Sequence, residues 1–340
     1  GFVYLVAAHL GTAVLIVMFI VLGQAWGSYD FGGPGSAALR VSLIFVLALA
    51  GFGVKAGFVP LHVWLPEAHP AAPSHVSALM SGVMIKTGVY GLVRVLTLIG
   101  PPQAWWGWVL IGIGVTSGVS AALHALAQRD MKRMLAYSSV DNIGIIMIGL
   151  GCGVLGMALN MPVMSVCGFG GALLHVLHHA LFKGLLFFGA GAVVHATGVR
   201  SLEKLGGLAR RMPWTGALCC TGALAMAAVP LLNGFASEAL IYLSALQGMQ
   251  QNGVHALPAL AALAGLALTG GLAAACCAAL YGVAFLGEPR SEAADQAREA
   301  GRCMRMPMLV LACLCVLTGM APPLTLMLCE PALTALTGAL

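Results

Sequence analysis

GFGVKAGFVPLHVWLPEAHPAAPSHVSALMSGVMIKTGVYGLVR, residues 51–94, sets two lysines, Lys55 and Lys86, deep in apolar sequence, with Pro60 and Pro66 breaking the chain between them. A lysine in hydrocarbon costs roughly 2.5–3.5 kcal/mol on insertion scales, so an intramembrane lysine marks a functional site by default. The composition around this stretch is that of a membrane protein. Of the 340 residues 60% are hydrophobic and only 8% charged, against about 25% charged in a soluble domain. The fold class is therefore all-α: a polytopic transmembrane helical bundle. The net charge of +5 calls for no nucleic acid, because the cations fall into a topology signal.

A span needs about 20 apolar residues. Nine candidates follow, at 2–23, 37–65, 73–99, 104–127, 133–152, 162–196, 214–246, 257–286 and 304–328. Eleven of the 16 Lys and Arg residues lie in the loops after the fourth, sixth and eighth spans, near 128–133, 197–213 and 287–303, extending to Arg305. The intervening loops at 100–103, 153–161 and 247–256 hold none. The positive-inside rule puts the basic loops in the cytoplasm and the chain, multi-pass, in the cell's inner (plasma) membrane. The chain opens directly into a span at Gly1, with no basic leader before it. Further helices are expected upstream.

Three spans are too long for a simple helix. The second is interrupted at Val59-Pro60-Leu61 and the seventh at Val229-Pro230-Leu231, where proline removes a backbone donor. Pro-broken segments in corresponding positions point to inverted repeats, here spans one to three against six to eight. The division is residues 1–99 as the end of a first repeat, 100–286 as a second, and 287–340 as a cytoplasmic linker and final helix.

The polar residues inside the spans carry the functional reading. Lys55, Lys86 and Lys183 have long apolar flanks on both sides, so snorkelling does not explain them as it does Arg40 and Arg94. His175, His179 and Lys183 recur at i, i+4 and i+8, one helical stripe, with His178 a position off it. Imidazoles and desolvated lysines exchange protons near neutral pH, which coupled proton transfer requires. Glu238 follows the second break, where capping a half-helix is the plainer alternative. Asp141 lies one turn inside a span and extends the polar path. His9 and His124 read as hydrogen-bonded packing residues, while His62 and His69 fit structure and function equally. Asp130 reads as a helix cap beside interfacial Lys132 and Arg133. The cysteines, adjacent at 219–220 and 276–277 and close at 313 and 315, lack metal or disulfide spacing and read as small packing residues. No cluster-spaced cysteine set and no dinucleotide fingerprint is present, so no cofactor is assigned.

KAGFVPLHVWLPEAHPAAPSHVSALMSGVMIKTGVYG, DMKRMLAYSSVDNIG and HHALFKGLLFFGAGAVVHATG resemble the signatures of the proton-translocating antiporter-like subunits. These occur in NADH-quinone oxidoreductase, multisubunit sodium/proton antiporters and membrane-bound hydrogenases. VDNIGIIMIGLG, LGGLARRMPWTGAL and PLLNGFASEALIYLSAL resemble the hydrogenase-4 component B and formate hydrogenlyase subunit 3 branch. Asn142, where many members carry histidine, favours that branch. The resemblance implies that Lys55 is the pump lysine on a broken helix and that Lys86 is next on a central axis. It implies that Lys183 with His175 and His179 connects the second half-channel, and that Glu238 is the terminal charged residue. It also implies a glutamate partner for Lys55 on a preceding helix. The expected partners are other membrane subunits, a peripheral hydrogenase or dehydrogenase arm, protons and the lipid bilayer. The expected function is a proton pathway, without redox chemistry of its own, in a redox-driven complex. A subunit of a sodium/proton antiporter and a structural anchor are the alternatives.

Overall fold

The computed structural model describes residues 1–29, 38–251 and 253–338. Among them every regular element is helical. The helices are α1 (Phe2–Trp26), α2 (Ala38–Ala56), α3 (Leu65–Ala71), α4 (Ser74–Leu98), α5 (Ala104–Leu126), α6 (Met131–Ala158), α7 (Pro162–Thr197), α8 (Pro213–Met226), α9 (Asn233–Gly248), α10 (Leu257–Phe285), α11 (Arg302–Met320) and α12 (Pro322–Thr337). Seven of them, α1, α4, α5, α6, α7, α10 and α11, are long and apolar enough to cross a membrane. The polytopic helical reading stands.

α6 is the axis of the bundle, enclosed along almost its whole length by α5, α7, α9 and α10. Glycine makes the enclosure possible. A Cβ on Gly144 would stand 2.5 Å from the backbone nitrogen of Gly118 on α5, and one on Gly168 of α7 would stand 2.5 Å from the nitrogen of Gly153. Small residues let backbones touch where lipid offers no hydrophobic drive for helices to associate. The outer faces of α1, α10 and α11 expose leucine, isoleucine and valine, as a lipid-facing surface does.

Both predicted breaks are present, with one shift. α2 stops at Ala56, four residues before Pro60, because Gly57 adopts φ 77° and closes the helix with its amide on the Gly53 carbonyl. Left-handed backbone of this kind suits glycine. Residues 57–64 then cross as turns, held by the Trp64 indole donating to the Val54 carbonyl (2.8 Å) and the Val59 amide donating to Ser117 Oγ (3.0 Å). α8 and α9 are separated by residues 227–232, where Ala228 and Leu231 have φ 51° and 75°.

Two expectations need correction. The segment 162–196, too long for one span, is a single uninterrupted helix of 36 residues, about 54 Å at 1.5 Å per residue. It contains no proline after Pro162, and its last turns, from Phe188 to His195, line a cavity on one side. The irregularity falls instead in α4, where Met80–Met84 is a π-helical turn. The predicted ninth span does not end at 328. α11 ends at Met320, and α12 starts at Pro322 as a separate helix packed on α7. Pro322 and Pro323 follow Ala321, whose extended backbone allows the turn. The predicted start of the second span at residue 37, the Arg40 side chain and residue 252 lie outside the described residues.

The three basic loops meet at one end of the bundle. Asp130 caps α6, accepting from the amides of Lys132 (2.9 Å) and Arg133 (3.1 Å), and pairs with Arg200 (3.3 Å). Arg129–Glu203, Arg210–Glu288 and Arg211–Asp295 join the loops, and Arg290 donates to the carbonyls of Leu202 and Glu203. Arg133 pairs with Glu67 (2.6 Å), Lys132 Nζ donates to the Ala72 carbonyl (2.9 Å), and Arg200 donates to the Pro70 carbonyl (2.7 Å). These last contacts tie α3 to the same end.

The α5–α6 contact predicts a sharp contrast. Gly144→Val forces a side chain into the α5 backbone and destabilises the bundle by about 1–3 kcal/mol or more. Gly112→Ala, with nothing within 4 Å of the new Cβ, leaves stability unchanged. Thermal unfolding of the detergent-purified protein measures both.

Candidate functional site: a buried polar line

Four helices bring the predicted site residues to the middle of the bundle. Lys86 on α4, Asp141 on α6, His175, His178, His179 and Lys183 on α7, and Glu238 on α9 are all buried. The π-helical turn sets the first of them. Lys86 Nζ folds back to donate to the Ser81 carbonyl inside that turn and makes a short contact with His179 Nδ1. A nitrogen pair in contact needs one donor and one acceptor. One hydrogen therefore lies between Lys86 and His179, and His179 Nε2 has no hydrogen-bond partner among the described residues.

His179 is stacked one turn from His175, with ring centroids 6.3 Å apart. Asn142 orients His175. The Asn142 amide nitrogen donates to the Ser138 carbonyl (2.7 Å) and to Asp141 Oδ1 (2.5 Å), which leaves its oxygen to accept from His175 Nε2 (3.1 Å). His175 Nδ1 meets Ser237 Oγ at 2.9 Å, and His178 Nδ1 meets the same hydroxyl at 3.2 Å. Ser237 also donates to the Gly234 carbonyl at 3.0 Å. One hydroxyl proton therefore serves three neighbours, and the network holds more than one arrangement of its protons.

Lys183 turns away from the histidines of its own helix. Its ammonium donates to Ser138 Oγ and to the Leu135 carbonyl (3.3 Å), both on α6. Asp141 lies within electrostatic range of Lys183, yet no direct ion pair joins them, and Asp141 Oδ2 is buried without a hydrogen-bond partner. Glu238, one residue after Ser237, lies against Gly270 of α10. The line thus consists of three neighbouring sets, Lys86 with His179, then His175 with His178, Ser237, Asn142 and Asp141, then Lys183 with Ser138, with Glu238 at its flank.

Lys55 does not join it. Lys55 stands on the last turn of α2, its side chain exposed in a narrow crevice with Tyr4, Trp64, Met84 and Thr87. Met84 and Thr87 line this crevice while Lys86 turns to α7, so the two lysines lie at different faces of α4. His9 and His124 are exposed and satisfied by carbonyls one turn back, at 2.8 and 2.7 Å, as packing residues are. Arg94 is exposed beside Thr97. His69 is fully buried and stacked on Phe187, and neither of its ring nitrogens has a hydrogen-bond partner.

Ser138, Ser237 and Asn142 are the connectors that residue-by-residue reading passed over. The signal was present in YSSVDN and FASE, small polar groups within one turn of the ionisable ones. Serine in an apolar helix is ordinarily satisfied by its own backbone, so only the positions of α7 and α9 show what these hydroxyls touch. All ten cysteines are free, and the described residues hold no group of three or more His, Cys, Asp or Glu arranged to bind a metal.

The chain is similar to known membrane proteins. Residues 1–264 match the family of NADH:quinone oxidoreductase/Mrp antiporter transmembrane subunits. The chain is 46% identical to hydrogenase-4 component B of Escherichia coli (strain K12) over 94% of this chain and 49% of that protein. It is 39% identical to formate hydrogenlyase subunit 3 of the same organism over 95% of this chain and 54% of that one. The chain thus spans about half the length of these relatives. A subunit in the structure of the membrane-bound sulfane sulfur reductase, an archaeal respiratory membrane complex, superposes with a TM-score of 0.79 at 28% identity, over 96% of this chain and 53% of that one. With the fold and the matched region in agreement, the chain belongs to the family of transmembrane subunits shared by NADH:quinone oxidoreductases and Mrp antiporters.

Proposed function

We propose that this chain carries protons across the membrane as a subunit of a redox-driven complex of the hydrogenase type. The observation that carries the reading is the gathering of buried groups between Lys86 and Lys183, which includes the Lys86–His179 contact, a hydroxyl with three partners and the Lys183–Ser138 bond. A purely structural set of buried charges would be closed by direct ion pairs, since unpaired charge in a low-dielectric interior is costly. Here the ammonium groups meet neutral oxygens and an imidazole instead, and the carboxylate of Asp141 keeps an unused oxygen.

In this mechanism each group's readiness to hold a proton depends on its neighbours, as coupled titration requires. A proton added at the Lys86–His179 contact displaces the shared one toward His175. The Ser237 hydroxyl reorients, and the change in charge at Asp141 alters Lys183 in turn. Glu238 stands beside this end as a terminal acceptor. Electron transfer in partner subunits would bias one end of the line. The broken segments 57–64 and 227–232, which correspond in the two inverted repeats, would set which side has access. The basic loops would face the cytoplasm of a cell bounded by this inner membrane. Lys55 would belong to a second path completed by other helices.

The test uses the parent complex in sealed vesicles, with redox turnover and proton uptake recorded together. Lys183→Met abolishes proton uptake per electron in the assembled complex. Unchanged uptake would make the line structural and end this reading.

A graded effect separates relay from scaffold. Ser237→Ala removes one link worth about 1.4 kcal/mol, and proton transfer slows about tenfold. Ser244→Ala, a buried serine bonded to the Met164 carbonyl away from the line, leaves transfer unchanged. The family also contains antiporter subunits. Proton movement that follows electron transfer without sodium favours the redox reading, whereas movement that requires a sodium gradient favours the antiporter.

A further inference from the structure

The basic end of the bundle holds a cavity of about 510 Å³ between the α3–α4 junction, the start of α6, the end of α7 and the start of α11. Its walls include Ser74, His75, Lys132, Phe188, His195 and Cys303. Apolar Val194, Met304 and Pro307 share the lining with these groups. Lys132, itself buried, closes its floor by donating to the Ala72 carbonyl. Behind this floor lies His69. Its ring is fully enclosed, stacks on Phe187 at 5.0 Å, the residue next to the cavity wall, and has neither nitrogen hydrogen-bonded. Its carbonyl accepts from Ser77, so the segment carrying it is fixed to α4. Lys132 on the cavity side and Lys86 and Lys183 on the inner side all act on it electrostatically.

A buried imidazole with two idle nitrogens is anomalous. Buried polar groups are otherwise satisfied, and an exception calls for a reason. Simple packing would be served better by a phenyl ring at this position. We propose that His69 is the entry relay through which protons pass from the loop-side cavity to the Lys86–His179–Lys183 line. The inference rests on the proton-conducting reading above and adds to it a door and a direction. The step balances within one ring. Hydronium in the cavity gives a proton to one ring nitrogen and is left as water, and the opposite nitrogen releases its own proton inward to an unprotonated group of the line, so a neutral imidazole remains. Reorientation of the ring restores the starting state. Lys132 holds a positive charge at the threshold and keeps other cations out of the floor.

The experiment uses the intact parent complex in vesicles, with proton uptake per electron measured for the wild type, His69→Gln and Lys183→Met. His69→Gln retains polar character and removes the titrating ring. Uptake then falls about tenfold or more, the scale of a lost general acid–base, and free imidazole added to His69→Ala restores it. Unchanged uptake in an assembled His69→Gln complex, with Lys183→Met inactive, overturns the entry route and leaves the function standing. Unchanged uptake in both overturns the function itself. Cys303 gives an independent measurement without altering His69. It is exposed at the cavity wall, so a membrane-impermeant sulfonated thiol reagent slows uptake in the wild type and not in Cys303→Ser. Equal rates with and without reagent place the entry elsewhere.

Discussion

The contact between Lys86 and His179 is the constraint on which the middle of this bundle depends. Hydrocarbon offers an ammonium group no partner, so the lysine must be met inside the protein. The π-helical turn at Met80–Met84 turns the Ser81 carbonyl onto it from one side, and α7 supplies the imidazole from the other. α7 can approach only because α6, against which it packs, is stripped to glycine at Gly149, Gly153 and Gly156. One buried charge thus explains an irregular helix, a histidine and a stripe of small residues.

The same requirement shapes the rest of the line. Ser138, Asn142 and Ser237 are weak, neutral and small, yet they fill the places where a second charge would otherwise be needed. Neutral partners leave the protons mobile, whereas a carboxylate in direct contact with Lys183 would trap one. Among the described residues the ion pairs are found instead at the basic end, most of them exposed, where each contributes little to stability. There they hold the loops and α3 together around the cavity.

The helical membrane class and the two breaks were legible in the sequence because hydropathy, loop charge and proline act locally, whereas only seven of the nine expected spans are helices long and apolar enough to cross by themselves. The break in α2 lay at Gly57 and not at Pro60 because a positive φ ended the helix before the proline could. α7 stayed whole, against its length, because its final turns were covered by loop and cavity residues that no window of sequence contains. The end of α11 at Met320 was hidden by apolar sequence continuing into α12.

The sequence by itself determined which residues are costly to bury: Lys86, Lys183, Asp141, Glu238 and the histidines of α7. Cost belongs to a side chain and its apolar flanks, so it can be read without a fold. Only the tertiary structure decided which of them touch. Lys55, as conspicuous in sequence as Lys86, stands exposed in a crevice apart from it, while His69, no more conspicuous than His62, is fully enclosed against Phe187. Contact depends on the rotation of one helix against another. That rotation is fixed by glycines and by a single π-helical turn, which no side-chain pattern along the chain reveals.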